Sequence, residues 1–430
     1  MIQNFLKTPI FQNISWHFIY RIARLSLAFF VTAWMARYLG PENYGVYIYS
    51  IALAELVMLF WSQGLKEVVI QQIKEIGLEK PDVSVASFQL MIIGNTILYG
   101  VLALIVFTFN FDIAVKSIAL ICGIGIWFRC FESFELWFHS SLKIRVTVFV
   151  QFVAQLIYMI SNILLILYSA ELVWFAYAYA GQLIIAGIGF LLVFPIKNIN
   201  LFKGYKKLQS DLLSIGVVMI IGKLTHTSSI IIDRILIESF LGNESVGIYV
   251  ASMKLTITWI FISSAIAYSF IPVLTSSKSD LNFTSSTKKM FQSVAYISIV
   301  LAVLIFFVSD ELVHAVFGNE YINSSKILKV LIFSLPFLFL SEGIKSWLVV
   351  RKKTKYFMYS MIATTVLSII LNFFMIPYLG IQGAALSFIL SWAFGGFLIF
   401  LVFKETRPLF IYIIKSIVSP IKILRKKTRD

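Results

Sequence analysis

Residues 37–50 read RYLGPENYGVYIYS, and residues 239–252 read SFLGNESVGIYVAS. At an offset of 202 residues Leu39 falls on Leu241, Gly40 on Gly242, Glu42 on Glu244, Gly45 on Gly247, Tyr47 on Tyr249 and Ser50 on Ser252. Each stretch separates two long apolar runs and carries the chemistry of a tight reversal. A glycine permits the sharp turn outside the helix, and Pro41 or Asn243 follows it as a helix start or turn residue. The matched stretches predict a chain built of two related halves. A turn grammar common to helical hairpins would give the same residues without shared ancestry.

Outward from these turns the sequence is dominated by apolar runs near 14–38, 44–64, 83–109, 112–137, 146–169, 171–196, 211–240, 245–275, 288–308, 326–350, 356–378 and 380–403. A helix needs about 20 apolar residues to span a bilayer, so twelve spans are predicted, six before residue 200 and six after. The 430 residues are 59% hydrophobic and 13% charged, against about 25% charged in a soluble domain. That excludes a cytosolic globular protein and leaves no room for a sizeable soluble domain. The first run follows Lys7, holds Arg21 and Arg24 and leads at once into another, which reads as a retained helix rather than a cleavable signal.

The net charge of +15 would suggest nucleic acid in a soluble protein. Here the basic residues fall in short segments between apolar runs and read as topology signals. Lys66, Lys74 and Lys80, then Lys143 and Arg145, then Lys197, Lys203, Lys206 and Lys207, then Lys278, Lys288 and Lys289, then Arg351, Lys352, Lys353 and Lys355 occupy alternate connections. The intervening connections near 39–43, 110–112, 169–171, 241–245, 309–325 and 378–380 hold no Lys or Arg. The positive-inside rule then puts both termini in the cytoplasm, which requires an even number of spans. Six being even, the halves share one orientation, a parallel repeat with the substrate path expected between them. The expected division is 1–200, 201–403 and a tail over 404–430. That tail, with Lys415, Pro420 and the run Arg425, Lys426, Lys427, Thr428, Arg429, is too interrupted to span and reads as a basic interfacial segment on the cytoplasmic leaflet.

Several chemistries find no support. Cys122 and Cys130 lie eight residues apart in one apolar run, about 12 Å of helical rise, too far to bridge. Gly222-Lys223-Leu224-Thr225 lacks the upstream glycine and adjacent hydroxyl of a P-loop. His17, His139, His226 and His314 have no ligand spacing, so neither a metal site nor a cofactor is expected. The nine Trp and 19 Tyr suit interfacial belts, with some free to stack on sugars.

The segments RYLGPENYGVYIYSIALAE (37–55), IIDRILIESFLGNESVGIYVASMKL (231–255) and YLGIQGAALSFILSW (378–392) resemble those of the polysaccharide, or O-antigen (Wzx-type), flippases of the multidrug/oligosaccharidyl-lipid/polysaccharide (MOP) superfamily. The resemblance implies an all-α polytopic fold of about twelve helices in two pseudo-symmetric six-helix bundles around a central cavity. It implies a transporter rather than an enzyme, moving an undecaprenyl-diphosphate-linked oligosaccharide across the bacterial inner membrane. The partners it implies are that lipid-linked glycan, membrane lipids and glycan polymerase or export machinery, with no nucleic acid.

Such a cargo carries many hydroxyls, each costing several kcal/mol if left unpaired in hydrocarbon. A carrier must offer a hydrated cavity for sugar, cations for the diphosphate and a lateral opening for the lipid. Charged residues within the spans are where such a site is sought. Arg129 has Glu132 at i+3, Arg234 has Glu238 at i+4 and Glu342 has Lys345 at i+3, so local neutralisation accounts for these as well as function does. Arg21, Arg24, Lys223 and Lys254 have no acid at i±3 or i±4 and are the candidates for diphosphate. The repeat sharpens this, because Arg21 maps on Lys223 and Arg24 on His226. Arg21 and Lys223 each lie 18 residues before the matched turn leucine of their half, about 27 Å of rise in a core of roughly 30 Å. Snorkelling to the interface is the competing explanation.

Among the acids, Glu55 and Asp233 are the candidates for coupling transport to a proton or cation gradient, worth about 2.3 kcal/mol per charge per 100 mV. A cross-helix pair between Asp233 and Lys254 is the structural alternative. A membrane glycan polymerase would need a catalytic segment outside the bilayer, and the longest outer connection is near 309–325. A multidrug exporter should favour acids for organic cations, whereas the locally unpaired spanning charges are mostly basic. A passive scaffold would need neither the repeat nor the cations.

Overall fold

The computed structural model describes residues 9–76, 82–141, 143–195, 204–276, 280–414 and 416. Among these residues the chain is helical throughout, with no strand. The helices are α1 (Pro9–Ile76), α2 (Asp82–Thr108), α3 (Ile113–Trp127), α4 (Glu132–Ser140), α5 (Ile144–Leu167), α6 (Leu172–Val193), α7 (Lys206–Leu241), α8 (Asn243–Ile257), α9 (Ile260–Ser276), α10 (Asp280–Phe307), α11 (Ser309–Phe317), α12 (Ile322–Leu331), α13 (Leu335–Val350), α14 (Lys355–Leu379) and α15 (Ile381–Phe394). Nine segments among the described residues are long and apolar enough to cross a membrane, from Asp82–Thr108 to Ile381–Leu401. The remaining three expected spans fall on α7 and on the two arms of α1, which is broken at Gly40. The protein is an all-α, multi-pass membrane protein.

The matched turns of the sequence are matched in backbone. Gly40 has φ 73° and ψ 168°, and Gly242 has φ 80° and ψ 175°. Both lie in a region that only glycine enters freely, which is why the reversal needs glycine at these two places. The second pair of matched glycines shows a stronger symmetry. A Cβ on Gly45 would run into the carbonyl of Asn243, and a Cβ on Gly247 would run into the carbonyl of Pro41. Because 41 and 243 are themselves equivalent, the contact maps onto itself when the two stretches are exchanged. That reciprocity marks a local two-fold axis, as in an isologous interface.

The chain forms two compact units, Met1–Leu39 with Ser50–Ile221, and Gly40–Tyr49 with Gly222–Asp430. The expected boundary at 200 therefore moves into α7. The turn at 40–49 passes from the first half to the second unit, because its glycine locks backbone to backbone against α8. In the first unit Phe88, Phe134, Phe190 and Phe194 build an aromatic core with Cys130, and Val68, Val69, Ile73 and Val83 pack a second cluster with Leu212. Cys122 and Cys130 are free and buried; Cys130 sits in a 3₁₀ turn, Phe128–Phe131, rather than in one continuous helix with Cys122. In the second unit Met290, Phe291, Ile344 and Trp347 form the core, joined by Leu409 and Ile413. The start of the tail is thus a docked amphipathic helix over 407–414, whose i, i+4 apolar pair is buried. Residues 417–430 lie outside the described residues.

Candidate functional site

In the second unit the α7–α8 hairpin brings Asp233 and Tyr249 together. Tyr249 lies seven residues past Gly242 and Asp233 nine before it, so they stand at nearly the same depth, roughly 10–14 Å in from the turn. The Tyr249 hydroxyl donates to Asp233 Oδ2 at 2.9 Å. From α14, Ser368 Oγ and Asn372 Nδ2 donate to Oδ1 at 3.0 and 2.6 Å. Ser368 and Asn372 share one helix face, one turn apart, and Asn372 Nδ2 also reaches Ser368 Oγ at 3.2 Å. Asp233 is 1% exposed. A carboxylate at that burial requires such donors, and they are neutral ones. The carbonyl oxygen of the Asn372 amide, beside them, is buried with no hydrogen-bond partner.

The expected pair between Asp233 and Lys254 does not form. Lys254 lies more than a turn deeper than Tyr249 on α8, so the tyrosine occupies the position opposite the carboxylate. Glu238, four residues on from Arg234, shares a hydrogen bond with Tyr49. Among the described ion pairs none includes Arg234 or Lys254. Arg234 and Lys254 lie within each other's field, and Arg234 also acts on Asp233. With Glu238 included, two acids and two bases stand in this cluster, and neither Arg234 nor Lys254 takes part in a described ion pair. Glu342 is held by Lys345 at 4.0 Å and by the Ser264 hydroxyl at 3.2 Å, which is the local pair expected.

In the first unit the 3₁₀ turn between α3 and α4 carries Arg129. A tightened turn inside a spanning segment often marks a functional break. Arg129 Nε contacts Glu132 Oε1 at 2.6 Å, as expected of the i, i+3 pair, and Lys66 Nζ contacts Glu132 Oε2 at 2.7 Å. Lys66, read from sequence as a loop cation, is therefore part of a mostly buried triad, its side chain 24% exposed. Glu55 receives the Tyr179 hydroxyl at 3.4 Å and lies in the field of Arg129. Two acids and two bases balance here. Gln182 Nε2 donates to Gln155 Oε1 at 2.9 Å on the facing pair α5 and α6, and Asn95 Nδ2 to the Trp127 carbonyl at 3.0 Å. These groups give the unit a polar interior between apolar faces.

The backbones of Arg21 and Arg24 lie in α1 and that of Lys223 in α7; their side chains lie outside the described residues. The structure thus describes Lys254, Glu55 and Asp233 in full and adds residues that sequence reading passed over: Tyr249, Ser368 and Asn372 around Asp233, Tyr179 at Glu55, and Lys66. Only Tyr249 had a signal, its match to Tyr47 in the repeat. Among the described residues no cluster of His, Cys, Asp or Glu could hold a metal ion.

Comparison with known proteins bears on these units. A search of curated proteins finds 28% identity over 165 residues with the capsular polysaccharide biosynthesis protein CapF of Staphylococcus aureus, covering 37% of this chain and 41% of that one. The match thus spans about two fifths of the relative's length. Among solved structures, the lipid II flippase MurJ in an inward closed conformation superposes with a TM-score of 0.67 at 15% identity, covering 92% of each chain. An inward-facing multidrug resistance MATE transporter of the MOP superfamily gives the same TM-score at 13% identity, over 92% of this chain and 96% of that one. At such identities the likeness is one of fold alone, and that fold is all-helical. The family described as Polysaccharide biosynthesis protein matches residues 34–326, more than half of the sequence, and the chain belongs to that family.

Proposed function

We propose that this transporter flips a polyprenyl-diphosphate-linked oligosaccharide, an O-antigen, capsule or exopolysaccharide unit, across the bacterial inner membrane by alternating access. The observation that carries the reading is that Arg234 and Lys254, both within spanning helices, take part in none of the described ion pairs. A charge without a counter-ion inside a spanning segment is costly unless water or a ligand receives it. A diphosphate supplies the missing negative charge, and Arg adds planar paired donors suited to phosphate oxygens. Arg21, Arg24 and Lys223 join these as candidates on the first helix of each half. Cations in the spans that take part in no described ion pair weigh against an exporter of organic cations. The family and the relative named for capsular polysaccharide biosynthesis support a glycan cargo.

Asp233 serves in this reading as the coupling site. Its carboxylate and the unpartnered Asn372 carbonyl are adjacent oxygen acceptors suited to a proton or an alkali cation. Glu55, whose charge is set against Arg129, is the second candidate. In this reading both termini and the 197–210 connection face the cytoplasm, on the strength of the basic residues in alternate connections.

The test is transport of a fluorescent undecaprenyl-diphosphate oligosaccharide in proteoliposomes. Arg234→Gln, Lys254→Gln, Arg21→Gln and Lys223→Gln should each lower transport by tenfold or more at unchanged protein abundance, with Arg→Lys and Lys→Arg changes milder. Normal transport by all four variants would refute a diphosphate role. Cysteine labelling that places 197–210 outside would refute the orientation.

A further inference from the structure

An apolar groove lies on α14 just before Ser368, toward the start of that helix. The helix α15 stops at Phe394, and Gly395 presses so close to Thr364 that a Cβ would meet its backbone. Ser360 Oγ donates to the Gly395 carbonyl at 2.7 Å, capping the break. Beyond it the chain continues as a 3₁₀ turn, Leu398–Leu401. Along this break runs an open groove of about 400 Å³, lined by Ala363, Val366 and Leu367 on α14 and by Leu398, Ile399 and Val402 past the break. Its walls are apolar and it lies within and at the end of two spanning segments.

The groove ends among cations. Arg407 Nε donates to the Leu401 carbonyl at 2.8 Å, which holds the guanidinium beside Val402. Phe403 packs on Tyr356 and Tyr359, with ring centroids 5.0 and 5.8 Å apart, and Lys355 Nζ lies 5.1 Å from the Tyr356 ring. Lys404 is exposed next to Phe403. The nearby acid, Glu405, pairs with Lys353 at 3.0 Å and lies in the field of Lys355, so three further cations, Lys355, Lys404 and Arg407, stand beside a single acid that Lys353 already holds. The docked helix over 407–414 fixes this basic rim to the core through Leu409 and Ile413, and Gln292 Nε2 ties its end by donating to the Ser416 carbonyl at 3.1 Å.

We propose that this groove binds one anionic phospholipid, an acyl chain lying along Ala363, Val366 and Leu398 and the phosphate held by Lys355, Lys404 and Arg407. At roughly 30 Å³ for a water-sized group, 400 Å³ accommodates a chain of about a dozen methylenes. That is one fatty-acyl chain, and a polyprenyl tail is several times longer. The site faces the cytoplasmic leaflet in the topology given above, and the binding itself does not depend on that topology or on the transported cargo.

Native mass spectrometry of the detergent-purified protein with palmitoyl-oleoyl phosphatidylglycerol or phosphatidylcholine tests the assignment. The wild type should retain one phosphatidylglycerol in preference to phosphatidylcholine. Ala363→Phe and Val366→Trp, which fill the groove, should each abolish that retention. Lys404→Gln with Arg407→Gln should leave the groove open and lower the preference by about fivefold per cation removed. Equal retention of the two lipids by the wild type overturns the proposal, as does undiminished retention in the Val366→Trp variant, whose position is already half exposed and tolerant. Displacement of phosphatidylglycerol by equimolar undecaprenyl phosphate would assign the groove to the carrier lipid and overturn the phospholipid occupant. Flippase activity enters none of these outcomes, so loss of the transport reading leaves the result intact.

Discussion

Asp233 is the residue on which the structure makes its sharpest demand. Its carboxylate accepts three hydrogen bonds, from Tyr249, Ser368 and Asn372, at 2.6–3.0 Å, and no ion pair. A hydrogen bond to a charged group contributes about 1.5–3 kcal/mol, so Tyr249→Phe should destabilise the protein by that amount. For a unit of this size 1 kcal/mol is roughly 2–4 °C in Tm, and the expected loss is about 3–12 °C in a detergent thermal-unfolding assay. Asp233→Asn keeps the shape but turns an amide donor toward other donors, at a cost of about 1–3 kcal/mol. Once Asp233 is an amide, Tyr249→Phe should cost less, with a coupling of about 1–2 kcal/mol in the double-mutant cycle. Lys254→Gln, by contrast, shares no partner with Asp233 and should add to Asp233→Asn within about 0.5 kcal/mol. Additive behaviour of Asp233 and Tyr249, or rescue of Asp233→Asn by Lys254→Gln, would refute this account. If Asp233 is also the coupling site, Asp233→Asn proteoliposomes should lose gradient-driven transport while Tyr249→Phe retains part of it.

Three further outcomes follow from other parts of the fold. Gly45→Ala and Gly247→Ala should each cost about 1–3 kcal/mol through backbone overlap, offset by about 1 kcal/mol of helix propensity; the double variant should cost less than the sum, since one separation relieves both contacts, and strict additivity in thermal unfolding would deny the shared axis. Glu132→Gln strands Lys66 and Arg129 and should destabilise by about 3 kcal/mol, the low end for a buried pair because the side chains are 13–24% exposed; Lys66→Met leaves Arg129 on Glu132 and should cost about half as much by the same assay. Lys353 and Tyr356 hold the Glu405 carboxyl below the usual carboxylate range, so its contribution to docking the 407–414 helix is complete above about pH 4.3, the unfolded value, and is lost as the pH falls through the lower folded value. Hydrogen exchange of 407–414, corrected for intrinsic rates, should be level from pH 8 to 5 and faster below pH 4; protection that falls between pH 8 and 6 would contradict this.

What the sequence could convey here was local. The turns at Gly40 and Gly242 were legible because a reversal needing positive φ writes itself in glycine, and the backbone angles agree within about ten degrees. Arg129 with Glu132 and Glu342 with Lys345 were legible because i, i+3 places side chains on one face. Arg234 with Glu238 obeys the same spacing, yet Arg234 is in none of the described ion pairs and Glu238 shares a hydrogen bond with Tyr49. Spacing permits a pair and cannot show a competitor that arrives from another helix. Lys66 was read as a loop cation because hydropathy falls after residue 64, although α1 runs on to Ile76.

Asp233 illustrates the deeper limit. Counting residues from Gly242 gives depth in the bilayer but not direction around the helix axis, and depth alone paired it with the wrong residue of α8. Two of its three donors lie more than 130 residues away on α14, beyond any local pattern. The consequence is that removing Lys254 from the pair turns a neutral structural contact into two separate features, a caged carboxylate and cations outside the described ion pairs. A substrate anion and a coupling ion need groups of opposite charge that are not already satisfied by each other. An Asp233–Lys254 ion pair would have left neither available, whereas neutral donors around the acid, with Arg234 and Lys254 in none of the described ion pairs, leave both.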